Sequence, residues 1–258
     1  MDVELAARSY EFWLVRYRRV WRGSVATSVV NPVFYLAALG IGLGTLVNHS
    51  ASRPGHVSYV DFVAPGLLAA AAMQTAAGEA SFPILAAIKW TRQYQAMLAT
   101  PLGIRDIFLG HQLFIVTRVL ISSAIYLAVI AAFGTIHSPL GVLALPACVL
   151  LGAAFGTAIA AYTTGVAHEG NEFNALFRFG IVPMFLFSGT FFPVSRLPVP
   201  LDWIALATPL WHGVALCRDL TLGRGTLLAD LGHAGYLTVW TLVGGALAYR
   251  FYRRRLVK

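Results

Sequence analysis

The chain has 258 residues, of which 58% are hydrophobic and only 12% are charged, and its mean hydropathy is +0.70. Soluble domains carry about 25% charged residues, so these values exclude an ordinary soluble protein and predict an integral membrane protein. The apolar runs are continuous rather than alternating, which predicts membrane helices instead of a barrel. The net charge of +8 is concentrated at the chain ends and in connections, which is typical of membrane orientation. No nucleic-acid partner is therefore expected.

The first 22 residues form an amphipathic segment. At 100° per residue, one face gathers aromatic and aliphatic side chains and the other gathers charged ones. The apolar face consists of Tyr10, Trp13, Leu14, Tyr17, Val20 and Trp21, and the charged face of Arg8, Glu11, Arg18, Arg19 and Arg22. A basic helix with an aromatic face is expected to lie in the headgroup plane. Residues 1–22 thus predict an interfacial helix, with a solvated N-terminal helix as the alternative.

Six apolar stretches follow, each near the length of about 20 residues that a helix needs to cross a bilayer. They lie at about 24–47, 59–78, 107–133, 142–164, 175–192 and 231–249. In the fourth stretch Gly152 and Gly156 stand four residues apart, as Gly40 and Gly44 do in the first, and this spacing favours close helix packing in membranes. The whole chain, 1–258, is predicted to be one all-α transmembrane domain with six spans.

Two longer segments interrupt this pattern. Residues 81–106 are more polar and have a helix-forming composition, which predicts a loop outside the membrane. Residues 193–228 stay apolar and aromatic but contain four prolines and several charges. Irregular backbone persists at membrane depth only where it is buried in protein or lines a wet cavity. The second segment is therefore predicted to fold back as re-entrant helices before the last span.

The distribution of Lys and Arg predicts the orientation. With a cytoplasmic N-terminus, 14 of the 19 basic residues fall in the segments 1–23, 81–106, 166–178 and 250–258, and only 4 fall in the opposite connections. Cytoplasmic connections carry the excess of basic residues. Both termini and the loop 81–106 are thus predicted to be cytoplasmic, and the segment 193–228 external.

The motifs of common enzymes are missing from the sequence. It contains no G-x-x-x-x-G-K-[ST] phosphate loop and no G-x-S-x-G nucleophile elbow. No two of the seven histidines have helical metal-ligand spacing, and neither cysteine belongs to a paired motif. We expect no catalytic, cofactor or metal residue on this chain. Acidic residues are nearly absent from the spans, which argues against an ion-driven carrier and indicates that the energy comes from another protein.

Two stretches carry a family resemblance: WTRQYQAMLATPLGIRDIFLG after span two, and FLFSGTFFPVSRLPVPLDWIALATPLWHGVALCRDL after span five. They resemble the membrane subunit, or permease, of the type-2 class of ABC exporters, which includes exporters of nodulation factors, O-antigen, drugs and lipids. The resemblance extends over nearly the whole chain. It is nearest to the nodulation-factor exporter permeases, partly because Glu79 follows span two.

The resemblance implies a set of partners and a mechanism. Two copies of an ABC ATPase subunit would dock from the cytoplasm and hold ATP and Mg, while two permease subunits, identical or homologous, would form the pathway among membrane lipids. ATP-driven motion of the ATPases would tilt spans one, two and five, and an amphipathic substrate (a lipid, a lipid-linked glycan or a hydrophobic drug) would leave across the bacterial inner membrane. This chain would not be an enzyme.

Under this resemblance, three groups of residues have candidate roles. The helix around 88–99 would be the coupling helix, and the candidates for ATPase docking are Lys89, Trp90, Arg92, Tyr94, His168 and Glu169. The coupling or ion-pair candidates are Glu79, Arg118 and Glu172, and the exit-gate candidates are Phe191, Phe192, Trp203, Trp211 and His212. The alternatives for these groups are a solvated topological loop or a tight turn, a structural ion pair, and aromatic anchors at the interface.

Three other functions are compatible with the sequence. A non-transporting scaffold or sensor would bind an ATPase whose turnover no amphiphile alters. An integral-membrane lipid enzyme would act without a partner. A secondary carrier would depend on an ion gradient and not on ATP.

Overall fold

The computed structural model describes residues 3–43, 57–166 and 169–257, and within these ranges the regular structure is entirely helical. The all-α prediction is thus confirmed. In chain order the helices are α1 (Val3–Tyr17), α2 (Trp21–Ala37), α3 (Tyr59–Ala80), α4 (Phe82–Lys89), α5 (Gln93–Leu98), α6 (Ile104–Ala132), α7 (Ala144–Gly165), α8 (Glu172–Leu176), α9 (Val182–Phe187), α10 (Leu201–Leu206), α11 (Pro209–Leu222) and α12 (Leu227–Leu256). Wider π-helical turns extend α2 over Ala38–Leu43 and join α8 to α9 over Phe177–Ile181.

In the described part of the chain, three helical stretches are long and apolar enough to cross a membrane. They are Tyr59–Lys89, Ile104–Ala132 and Pro139–Gly165, and they correspond to the predicted spans two, three and four. The first is longer than predicted because α4 continues from α3 after a break at Ser81. The remaining three spans stay predictions.

Helix α7 forms the centre of the bundle and packs against α3, α6, α11 and α12. Its glycines permit this contact: a Cβ on Gly152 would lie 2.6 Å from a Val119 methyl group, and one on Gly156 would lie 3.1 Å from Ile115 of α6. The close packing predicted from their spacing is therefore present. At the end of α7, the Arg255 guanidinium from α12 donates to the Thr163 carbonyl at 2.9 Å, satisfying a carbonyl that the helix leaves unpaired.

Helix α1 differs from the predicted interfacial helix in length and in surroundings. It ends at Tyr17, so Trp21 belongs to α2. Its aromatic face packs on α6: Trp13 is buried, and the Tyr10 hydroxyl lies 2.9 Å from Oγ1 of Thr117. Periodicity predicted that the aromatic face of this helix lies in the headgroup plane. In the structure much of that face is covered by α6, which contributes aromatic and hydroxyl side chains to the contact.

Helix α2 lies at the edge of the bundle, and many of its apolar side chains are exposed, including Phe34 and Val30. It contains Pro32, which removes the backbone hydrogen bond to the carbonyl four residues earlier. Residues 44–56 lie outside the described ranges, and with them the predicted end of span one and Gly44.

Predicted span five, 175–192, ends earlier than expected. The helical run from α8 to α9 covers only Glu172–Phe187, 16 residues or about 24 Å at 1.5 Å per residue, against a hydrocarbon core of about 30 Å. The chain leaves the helix at Ser188 and turns through Gly189, whose φ is +82°. Glycine accepts this left-handed conformation without a steric penalty.

Helix α11, which lies in the predicted external segment, is mostly buried against the bundle. Arg218 anchors it, because its guanidinium donates to the Phe62 carbonyl at 3.1 Å and to the Gly189 carbonyl at 2.8 Å. The same guanidinium lies 3.8 Å from the Phe62 ring centroid. Arg218, one of the four basic residues counted in the opposite connections, is therefore a buried link between α11, α3 and the turn after α9.

Candidate functional site

The predicted coupling helix is a turn followed by a short helix. Helix α4 ends at Lys89, and α5 begins only at Gln93. Between them Trp90 is 54% exposed, and Arg92 has a left-handed backbone with φ +50°. Non-glycine residues rarely adopt that conformation, since the Cβ then crowds the backbone. The turn thus presents an indole and a guanidinium at the surface, which are side chains enriched at protein interfaces.

Tyr94 was predicted to contact the ATPase, but it is fully buried, which argues against direct contact. Its hydroxyl is hydrogen-bonded to Nδ1 of His111 in α6 and lies 3.1 Å from the Tyr252 hydroxyl in α12. Trp13 of α1 stacks on the His111 ring with centroids 3.9 Å apart. Burial raises the pKa of Tyr94 well above its ordinary value, so its phenol stays protonated. This aromatic cluster of Trp13, Tyr94, His111 and Tyr252 joins α5 to three other helices.

The two regions predicted to dock the ATPase approach one another. Lys89 Nζ lies 3.7 Å from Glu169 Oε1, and both side chains are largely exposed. An exposed pair of this kind contributes at most about 1 kcal/mol. A more apolar contact supports the same junction, because Phe82 packs edge-on against Phe173 at 4.7 Å. His168, the remaining docking candidate, lies outside the described residues.

Arg118 pairs with Glu79, one of the two partners considered for it. Its Nε lies 2.9 Å from Oε1 of Glu79, and the two side chains are 12% and 22% exposed. The guanidinium also lies 4.4 Å from the centroid of the Tyr17 ring, a cation–π distance. Glu172 instead accepts a hydrogen bond from the Gly170 backbone N–H at 2.9 Å and so closes its own turn. The Glu79–Arg118 pair lines two cavities, of about 380 Å³ and about 190 Å³.

The exit-gate candidates occupy several places on the described surface. Phe191 packs edge-on against Phe185 of α9 at 5.0 Å, and Phe192 lies 6.5 Å from Phe187. Trp203 of α10 is 68% exposed. The aromatic side chains beside the turn after α9 therefore pack mainly on α9 itself.

Trp211 and His212 pack against α12. Nδ1 of His212 lies 2.8 Å from Nδ1 of His233, and the His212 ring stacks on Tyr236 with centroids 3.8 Å apart. Trp211 contacts the same His233 ring edge-on at 5.2 Å. Burial and the neighbouring His233 lower the pKa of His212 to about 4, so this imidazole is neutral at pH 7. In the contact with His233, one Nδ1 atom donates a hydrogen bond and the other accepts it.

Cys217 lies in the segment predicted to be external, so an impermeant thiol reagent is expected to reach it from outside unless the thiol is shielded. It is fully buried, with its Sγ 3.6 Å from Sγ of Cys148, and both thiols are free. The shielding condition therefore applies, and this thiol does not report on topology.

Sequence reasoning did not single out the aromatic cluster or the polar wall of the larger cavity. A signal for each exists in the sequence. His111 and Arg118 are the basic side chains in a mostly apolar span, and Ser122 and Tyr126 follow Arg118 at four-residue steps on one helix face.

The fold and these contacts agree with a known class of membrane protein. Residues 9–222 match the ABC-2 type transporter family, and the chain belongs to this family as a membrane subunit, a transport component. The resemblance seen in the sequence is thus confirmed.

Its relatives include Nodulation protein J of Rhizobium leguminosarum bv. viciae, which is 32% identical over 253 residues covering 95% of each chain. Nodulation protein J of Rhizobium meliloti (strain 1021) is 30% identical over 250 residues, 97% of this chain and 92% of the relative. Nodulation protein J of Azorhizobium caulinodans (strain ATCC 43989) is 26% identical over 223 residues, 83% of each chain.

Proposed function

We propose that this chain is the membrane subunit of an ATP-driven ABC exporter that moves an amphipathic molecule outward across the bacterial inner membrane. The observation that carries the proposal is that an exposed turn, between α4 and α5, is followed directly by a helix whose side chain is buried in the bundle. Trp90 and Arg92 face outward at a turn, and two residues later Tyr94 is bonded into the core. A protein that pushes on the turn would move α5, and through it α1, α6 and α12.

The partners in this proposal are two ABC ATPase subunits, a second permease subunit and the surrounding lipids. ATP and Mg belong to the ATPase chains, since this sequence has no phosphate loop. The permease is one transmembrane domain, 1–258, with six spans and cytoplasmic termini. Residues 81–106 form the coupling loop, and 193–228 the external re-entrant segment.

The docking assignment is tested by replacing Trp90 and Arg92 together with Ala. We expect the complex in proteoliposomes to lose ATP-driven efflux of a fluorescent short-chain lipid, while the permease still reaches the membrane. The matched control replaces Arg196 and Trp240 with Ala, since both are exposed and neither belongs to a docking, coupling or exit-gate group. Wild-type efflux in the Trp90→Ala/Arg92→Ala complex contradicts the docking assignment.

The same preparation separates the other functions. If the chain is a scaffold or sensor, its partner ATPase hydrolyses ATP at a rate that no amphiphile alters. If it is a lipid enzyme, it converts its lipid substrate without the ATPase. A secondary carrier loses its flux when the ion gradient collapses and not when ATP is withheld. Each of these results contradicts the proposal.

A further inference from the structure

The larger cavity lies among the membrane helices themselves, between α2, α3 and α6, with Phe185 of α9 at one side. Its volume of about 380 Å³ falls within the range of about 300–1,000 Å³ typical of small-molecule sites. The proline at position 32 of α2 lines it. Because that proline cannot pair with the preceding turn, the backbone beside the cavity is already locally interrupted.

The walls of this cavity are polar although two of the helices that form them, α3 and α6, are apolar enough to cross a membrane and α2 belongs to a predicted span. The hydroxyl and amide side chains on the wall include Ser28, Asn31, Gln74, Thr75, Ser122 and Tyr126. The Ser28 and Thr75 hydroxyls each lie 3.4 Å from Oγ of Ser122. Polar groups facing hydrocarbon are costly, and in membrane proteins they face the bundle interior or a wet cavity and mark a pathway.

One hydroxyl in this wall has no partner among the described residues. It belongs to Tyr126, which is 4% exposed and lines the cavity. Nη1 of Arg118, at the same wall, is likewise buried with no partner in the described ranges. Buried polar groups are nearly always hydrogen-bonded. These two groups are therefore available to donate hydrogen bonds to a molecule in the cavity.

The charge on the cavity wall limits what that molecule is. Glu79 and Arg118 are the charged residues that line it, and they are paired with one another at 2.9 Å. The wall thus has no net charge to neutralise an ionic ligand, and burying an unpaired charge is costly. A neutral group with several hydrogen-bonding atoms fits this wall best.

The cavity is also elongated. From Glu79 near the end of α3 it extends to Leu67, twelve residues away, or about 18 Å at 1.5 Å per residue. Hydroxyl groups continue along this length, because Tyr126 stands eight residues beyond Arg118 on α6 and also lines the wall. The apolar side chains of Leu67 and Phe185 line it as well. A wall that offers both hydroxyl and apolar contacts fits the head group of an amphiphile together with the start of its apolar chain.

We propose that this cavity binds the uncharged, hydroxyl- or amide-bearing head group of a membrane amphiphile, with Ser28, Ser122 and Tyr126 as head-group contacts. This names the ligand class within the proposed function and relies on that function for the role of the amphiphile as cargo. Binding itself does not depend on ATP.

The test compares four tritiated probes with the same eight-carbon chain: monooctanoylglycerol and octyl glucoside, which are neutral, octyl phosphate, which is anionic, and octyltrimethylammonium, which is cationic. Equilibrium binding is measured on the full chain with its co-purified ATPase in nanodiscs, without nucleotide, and empty nanodiscs give the background. We expect saturable binding of one or both neutral probes, and background levels for the two charged ones. The two neutral probes distinguish an acylglycerol source from a glycoside source.

The variants are Ser122→Ala and Tyr126→Phe, each removing one hydroxyl. Loss of one neutral hydrogen bond weakens Kd about three- to tenfold. Ser123→Ala is the matched control, because Ser123 is also buried on the same helix but does not line the cavity. Ser28→Ala, on a different helix, repeats the test if a variant on α6 fails to fold.

Equal binding of a charged probe, absence of binding by both neutral probes, or identical Kd values for Ser122→Ala and Ser123→Ala overturns the proposal. Because no nucleotide is present, this result is separable from the efflux assay. Intact binding without efflux contradicts the proposed function alone, and efflux without this binding pattern contradicts the cavity assignment alone.

Discussion

Tyr94→Phe is expected to uncouple the docking segment from the rest of the bundle. The substitution keeps the ring within the aromatic cluster and removes the hydroxyl that is bonded to His111 and to Tyr252. Each neutral hydrogen bond contributes about 0.5–1.5 kcal/mol, so two contribute about 1–3 kcal/mol. By the relation of about 1.4 kcal/mol per factor of ten, α5 should separate from the core about 5 to 150 times more often.

Hydrogen exchange measures this separation directly. We expect the amides of Gln93–Leu98 to exchange faster by that factor in Tyr94→Phe, while those in the middle of α7 keep their rates. In proteoliposomes the complex should still hydrolyse ATP, but fewer molecules of the fluorescent lipid should be exported per ATP. The reason is that a push on the exposed turn would be absorbed by α5 instead of reaching α1, α6 and α12.

Tyr10→Phe is the matched control for this prediction. It removes a hydroxyl of the same kind, 2.9 Å from Thr117, at a contact between α1 and α6 that does not include α5. It should lower the melting temperature without altering the export per ATP. Unchanged exchange in α5 of Tyr94→Phe, or the same loss of coupling in Tyr10→Phe, would show that the Tyr94 contact does not transmit motion.

Three further predictions concern the ion pair, the histidine pair and the orientation. Glu79→Gln should destabilise the chain by roughly 3 kcal/mol because it leaves the Arg118 charge mostly buried and unpaired; thermal melting should show partial recovery in Glu79→Gln/Arg118→Gln, and no recovery would contradict the pairing. The lowered pKa of His212 means that its contribution to stability is complete above pH 6.5 and is lost as pH falls toward 4. In His212→Gln the melting temperature should therefore change less with pH over this window. A pH dependence equal to that of the wild type would refute the assignment. An impermeant maleimide should label Trp203→Cys from outside and Trp90→Cys only from the cytoplasm, and the reverse pattern would invert the topology.

The central helices were predictable because each one has a simple local sequence pattern. A continuous apolar run of span length identifies a membrane helix, and small residues four apart identify a close crossing. Both signals occur in α7, and the structure has both the helix and its tight contacts at Gly152 and Gly156. Glu79 and Arg118 were predicted as ion-pair candidates, together with Glu172, because an arginine inside a span is costly without a partner.

The side-chain contacts between distant segments were not predictable. Periodicity assigned Trp13 to an outer face, but it does not show whether lipid or another helix covers that face. Tyr94 follows an exposed turn, and its side chain is buried because α6 and α12 supply hydrogen-bond partners for its hydroxyl. Arg218 looked like one more loop charge, because nothing local in the sequence shows that two backbone carbonyls from other segments lie within its reach.

The position of Arg218 bears on which helix is free to move. Its guanidinium links the first turn of α3 and helix α11 to the turn after α9. Tilting α3 independently of α11 would therefore break the two charge-assisted hydrogen bonds to the Phe62 carbonyl. Helix α2 stays outside this linkage, with much of its apolar surface uncovered and a proline weakening its middle. Lateral entry of a molecule from the bilayer would then require only α2 to move, while the rest of the subunit stays in place.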